Sequence, residues 1–141
     1  TIIGVSANAY DTRPGEDYNM KGCGQDGCAP RLSRDDISDD PESRWSCAQM
    51  IVPDGGLCEI EFVFQDPQDI KEVQVAFWKG DVRSRTLEVS VNDEVIGEFD
   101  SYTGAIFNTL DIQGVEVDRM RFTSVNLAED EWISLLEVSV Y

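Results

Sequence analysis

The chain has 141 residues, 41% hydrophobic and 28% charged, a balance that supports one folded domain over residues 1–141 and excludes an acidic disordered tail. Its 28 Asp and Glu against 11 Lys and Arg give a net charge of -17, which sets most of the surface against a phosphate backbone and excludes nucleic acid as a partner. No apolar run approaches the length of a membrane span, so a membrane is not an expected partner either.

In chain order, "IIGVSA" reads as a first strand. The opening "TIIGVSANAY" lacks the basic start, apolar stretch and cleavage site of a signal peptide, so either a signal has been removed or the domain comes from a longer chain. Residues 8–44 are polar, rich in Gly, Pro and Asp, and without periodicity, which predicts loops pinned by Cys23 and Cys28. From there "RWSCA", "CEIEFVF", "EVQVAFW", "TLEVSV", "EVIGEF", "AIFNTLDI", "RMRFTSV" and "SLLEVSVY" are short runs rich in Val, Ile, Phe and Thr, most of them separated by turn residues. "VNDEV" predicts a tight hairpin turned by Asn92 and Asp93. With no sustained helical repeat, the expected fold is all-β: an antiparallel β-sandwich or jelly roll. Trp45 is its expected core anchor.

Four cysteines allow three pairings. Cys23–Cys28 and Cys47–Cys58 each close a short loop and are the expected pairs. A zinc site is the rival, but the chain has no histidine and its cysteines are not spaced as knuckles. Disulfides imply an oxidising compartment, hence a secreted or extracellular protein.

Side chains alternate along a strand, so parity tells which share a face. Val73, Val75 and Phe77 form one core set, and Lys79 continues it. Leu87, Val89 and Val91 form another, continued backwards by Arg85 and Arg83. Two neighbouring strands thus send cations from the end of the same apolar face. Single cations of this kind usually offset nearby carboxylates such as Asp81 and Glu88 and contribute little. Three on one rim, in a chain poor in cations, point to a site for an anionic ligand. Trp78 and Trp132 are candidate stacking platforms for a sugar ring, each with sheet cover as its alternative role.

These segments carry a resemblance. "DDISDDPESRWSC" resembles the "DGDPSTRWS" signature of coagulation factor 5/8 type C (discoidin-like) domains and family 32 carbohydrate-binding modules. "VAFWKGDVRSRTLEVSV" is similar to a segment of the modules attached to alginate-active and related polysaccharide enzymes, and "WISLLEVSV" to the family's closing strand. The likeness runs from about residue 30 to 141. It implies a discoidin-like sandwich, no catalysis, sugar binding by loops at one end, and a structural calcium ion. By position, Asp40, Ser43 and Glu137 would supply side-chain oxygens to that ion, an oxygen-only set suited to calcium. Ser38 and Asp39 depart from the family's usual residues there, so Asp36 or Asp39 also enters the candidate set. The resemblance places Lys79, Arg83 and Arg85 in the family's alginate-type binding region, in agreement with parity.

The expected function is therefore non-catalytic binding of an acidic, uronate-containing polysaccharide, within a larger extracellular protein. No histidine is available as a general base, and Asp39 and Asp40 are adjacent in a turn rather than set across a cleft. The alternatives are an adhesion or matrix module binding protein or lipid headgroups, and a module for a neutral galactose-type glycan. The loops "GDV" and "NLAEDE" lack the apolar tips of membrane binders.

Overall fold

The structure is a computed structural model of the chain and describes residues 2–8, 45–77, 84–101 and 107–141. Seven strands are present among these: β1 (Ile2–Ala7), β2 (Trp45–Ala48), β3 (Glu59–Phe77), β4 (Thr86–Val91), β5 (Glu94–Asp100), β6 (Phe107–Val125) and β7 (Trp132–Val140). Every pairing is antiparallel, in the order β2-β7-β3-β6-β4-β5, with β1 on the free side of one half of β3.

Two strands of 19 residues make this one ladder into two layers. The first part of β3, Glu59–Val63, lies between β1 and the last part of β6, which in turn pairs with β4. The last part of β3, Val73–Phe77, lies between β7 and the first part of β6. Between these halves the β3–β6 register shifts three times, from Val63 to Glu72. Bulges and bends of this kind let a strand pass from one layer of a sandwich to the other.

The runs 59–64 and 72–77 are thus parts of one strand, as are the runs 107–112 and 119–125. The turn-like "QDPQD" between the first two is read through because Pro67 falls in the register gap between Val63 and Gln68, where a missing N–H leaves no ladder bond to β6 unmade. At the same bend Glu116 takes a positive φ of 49° and its N–H donates to Asp69 Oδ1 at 2.9 Å.

The core forms between the layers. Val73, Val75, Phe77, Leu87, Val89 and Val91 are all buried, as parity predicts, and Trp45 is 1% exposed. Phe62 and Phe122 meet edge to face at 5.4 Å. Full burial of each such side chain stabilises the fold by roughly 1.5–3 kcal/mol. The Cys47–Cys58 disulfide lies within this core and ties β2 to the start of β3. Cys23 and Cys28 lie outside the described residues.

Asn92 and Asp93 turn the β4–β5 hairpin, with φ of 49° and 68°, the left-handed pair of a type I′ turn. The Asn92 side chain carries this turn onto the bend of β6: its Oδ1 accepts from the N–H of Asp118 at 2.8 Å, and its Nδ2 donates to Glu116 O at 3.0 Å. The sandwich therefore has two unlike ends, one where β3 and β6 bend and one where they begin and finish.

Candidate functional site

The second of these ends is made of loops, and β4, β6 and β7 all meet it. Thr86 pairs with Val125, so Arg85 and Ser84 lie at the last rung of the β4–β6 ladder. Ala48 pairs with Trp132, which brings the 3-10 turn Gln49–Ile51 beside the segment leading into β7.

Arg85 joins these pieces. Its Nε donates to Trp132 O at 2.8 Å and its Nη1 to Ser84 O at 2.8 Å. Nη1 also lies 3.6 Å from Glu131 Oε2. The Arg85 side chain is 10% exposed, against 46% for Glu131. Burial draws the Arg85 pKa down from its ordinary value, while the Glu131 charge acts the other way. An arginine remains a cation throughout. The backbone is pinned too: Arg85 N–H donates to Ser101 Oγ at 2.7 Å, and Ser101 N–H donates to Arg85 O at 2.8 Å.

Glu131 is itself fixed, because its Oε1 accepts from Ala128 N–H at 2.9 Å and its own N–H donates to Ala128 O at 3.0 Å. Leu127 in the same loop is buried, so "NLAEDE" presents no apolar tip, in line with the sequence. Met50 N–H donates to Glu129 O at 3.3 Å and links this loop to the disulfide-closed segment 49–57. The far side of that segment is held by Asn8, whose Nδ2 donates to Leu57 O at 2.7 Å.

Of the residues singled out for ligand binding, the structure brings Arg85 and Trp132 together. The arginine is a strut between β4 and the head of β7 as well as a charge, and the half-buried Trp132 supplies the carbonyl it grips. Trp78, Lys79 and Arg83 lie outside the described residues, as do Asp36, Asp39, Asp40 and Ser43. Glu137 is placed by its backbone, paired with Ala76. No group of three or more His, Cys, Asp or Glu side chains that could hold a metal occurs among the described residues. No described helix is long and apolar enough to cross a membrane.

Sequence reasoning missed Met50 and Leu57, which are 52% and 39% exposed on the disulfide-closed segment. The signal was available. "AQMIVPDGGL" is too apolar for an ordinary turn-rich loop, and only Val52 and Ile51 of its larger aliphatics are used inward.

No protein-family model matches the sequence, and no curated protein matches it. Solved structures do match the fold. The family 32 carbohydrate-binding module of AlyQ, solved in complex with 4,5-unsaturated mannuronic acid, aligns with a TM-score of 0.69 at 17% identity, covering 100% of this chain and 95% of that one. A pectin-binding module aligns at 0.69 and 13% identity, covering 99% and 90%. The Clostridium perfringens module CpGH89CBM32-5, in complex with GalNAc-β-1,3-galactose, aligns at 0.67 and 11% identity, covering 100% and 99%. The chain has the discoidin-like β-sandwich fold of family 32 carbohydrate-binding modules.

Proposed function

We propose that this protein is a non-catalytic carbohydrate-binding module that recognises an anionic, uronate-containing polysaccharide through the loop end of its sandwich. The reading rests above all on the Arg85–Trp132 clamp, which holds a cation against the main chain of a half-buried tryptophan at that end. Lys79 and Arg83 belong to the segment leading into Arg85 and are proposed to meet the ligand's carboxylates. Trp132 and Trp78 are proposed to stack on sugar rings. The ligands of two modules sharing this fold, an unsaturated mannuronic acid and pectin, are of the proposed chemical class. Such a shallow site binds weakly, roughly micromolar to millimolar, and gains by repetition along a polymer or in a multidomain parent.

A structural calcium ion is part of the proposal, held by Asp40, Ser43 and Glu137 with Asp36 or Asp39. Trp45 pairs with Leu135, two residues from Glu137, so the chain enters β2 in the neighbourhood such a shared ion requires. The disulfide Cys47–Cys58 supports secretion into an oxidising compartment.

The test is retention in affinity gels containing alginate, pectin or a neutral galactan, with calcium and with chelator. The proposal expects retention on a uronate polymer that weakens at high salt, and a melting temperature that falls when calcium is removed. Retention on neutral galactan alone would retain the module and remove the role of Lys79 and Arg83. Met50 and Leu57 favour one second reading, an adhesion module that meets a lipid or protein surface. Pelleting with liposomes, without retention in any glycan gel, would support it instead.

A further inference from the structure

At the end opposite the Arg85–Trp132 clamp, the bends of β3 and β6 form a half-open groove of about 470 Å3. The two ends are separated by the length of β4, about 17 Å at roughly 3.3 Å per residue. The groove is lined by Asp69, Ile70 and Lys71 of β3 and by β6 from Asp111 to Val115, neighbouring segments that pair at Ile70 and Gly114. Its volume lies within the usual range of small-ligand sites, roughly 300–1,000 Å3.

The groove is built on strands and held rigid. Asp69 accepts the Glu116 N–H at 2.9 Å, fixing the bulge of β6 above it. The N–H groups of Lys71 and Glu72 both donate to Tyr141 O, at 2.8 and 3.1 Å, fixing β3. Gly114 packs tightly at this bend: a Cβ there would sit 2.6 Å from the buried Val117 Cγ2, so no larger residue fits without moving Val117.

Its chemistry is mixed in a particular way. Asp69 and Asp111 can only accept hydrogen bonds, Lys71 can only donate, and Gln113 does both. All four are exposed at the groove, whereas Ile70 and Ile112 are buried beneath it and Val115 stands 73% exposed at its lip. Two carboxylates against one ammonium, on a chain of net charge -17, repel an anion. Hydroxyl groups, which donate and accept, satisfy all four side chains, and the C–H face of a sugar ring suits the aliphatic lip. We infer that the groove between the bends of β3 and β6 is a second binding site, for a neutral pyranose. The protein would then hold an acidic chain at one end and a neutral sugar at the other, and could bridge two glycans.

The test is a 1H–15N NMR titration of the whole 141-residue chain with methyl β-D-glucopyranoside and methyl β-D-galactopyranoside, with glycerol as control. The expected result is saturable, millimolar shifts of the Lys71, Gln113 and Gly114 amides with at least one glycoside. Asp111→Ala and Gln113→Ala should each weaken these at least tenfold while leaving the rest of the spectrum in place. Absence of saturable shifts with both glycosides would overturn the inference, as would equal shifts with glycerol or shifts that survive both substitutions. A parallel titration with oligogalacturonate, read at the Trp132 indole, reports on the loop end. Failure there counts against the proposed function and leaves the groove standing.

Discussion

The two ends of the sandwich are built by different means. The bend end consists of strand: β3 and β6 turn through bulges, and Asp69 and Asn92 satisfy the main chain that the bulges expose. The loop end consists of connections stitched together by a disulfide, the Arg85 side chain and main-chain contacts between segments far apart in sequence. Loops set on a rigid scaffold can change their side chains without disturbing the core, which suits the end proposed to read a polymer. The bend end has less freedom, as the close packing of Gly114 on Val117 illustrates.

If the ends are separate in this sense, damage to one should leave the other intact. The largest effect should come from replacing Cys47 and Cys58 together with Ala. Losing a native disulfide costs about 2–4 kcal/mol, and amide exchange should rise over residues 49–57 while the Asn92 turn stays protected. Equal loss of protection at both ends would break the comparison.

Arg85→Ala should come next, at about 1–3 kcal/mol by chemical denaturation, because it removes two hydrogen bonds to carbonyls and the partner of Glu131. Arg85→Lys should recover only part of this, since an ammonium cannot reproduce the planar fork. A purely surface role would instead leave the midpoint of Arg85→Ala unmoved.

The smallest effect belongs to the bend end and is read as a dependence on pH. Asp93 accepts from Arg119 and from Arg121 Nη2, the latter at 3.0 Å. The Arg119 hydrogen bond chiefly, with the charges of Arg119 and Arg121, holds the Asp93 carboxyl below the usual aspartate range. A depressed folded pKa adds stability that is present above the ordinary aspartate value and lost as pH falls through the folded one. Stability of the natural protein should therefore decline more steeply with acid across that window than stability of Asp93→Asn. Parallel pH profiles would remove Asp93 from the account.

Much of the fold was legible because its signals are local. Alternation placed Val73, Val75 and Phe77, and Leu87, Val89 and Val91, on buried faces. Asn92 and Asp93 are residues that tolerate the turn they make. What escaped depends on distant partners. Pro67 reads as a break unless the register of β6 is known, and only that register shows that its missing N–H leaves no bond to β6 unmade. The position of Arg85 at the loop end follows from parity, but its grip on the Trp132 carbonyl, 47 residues away, leaves no trace in spacing. For that reason the sequence identifies the cation and not its work as a strut.

The loop end is proposed to bind an acidic polysaccharide through its cations. This is tested most directly by comparing the natural protein with a Lys79→Ala, Arg83→Ala double variant in alginate affinity gels at low and high salt. The account predicts at least tenfold weaker retention of the variant at low salt, about 1.4 kcal/mol or more, with an unchanged melting temperature and little difference at high salt. Equal retention of the two proteins at low salt would contradict it.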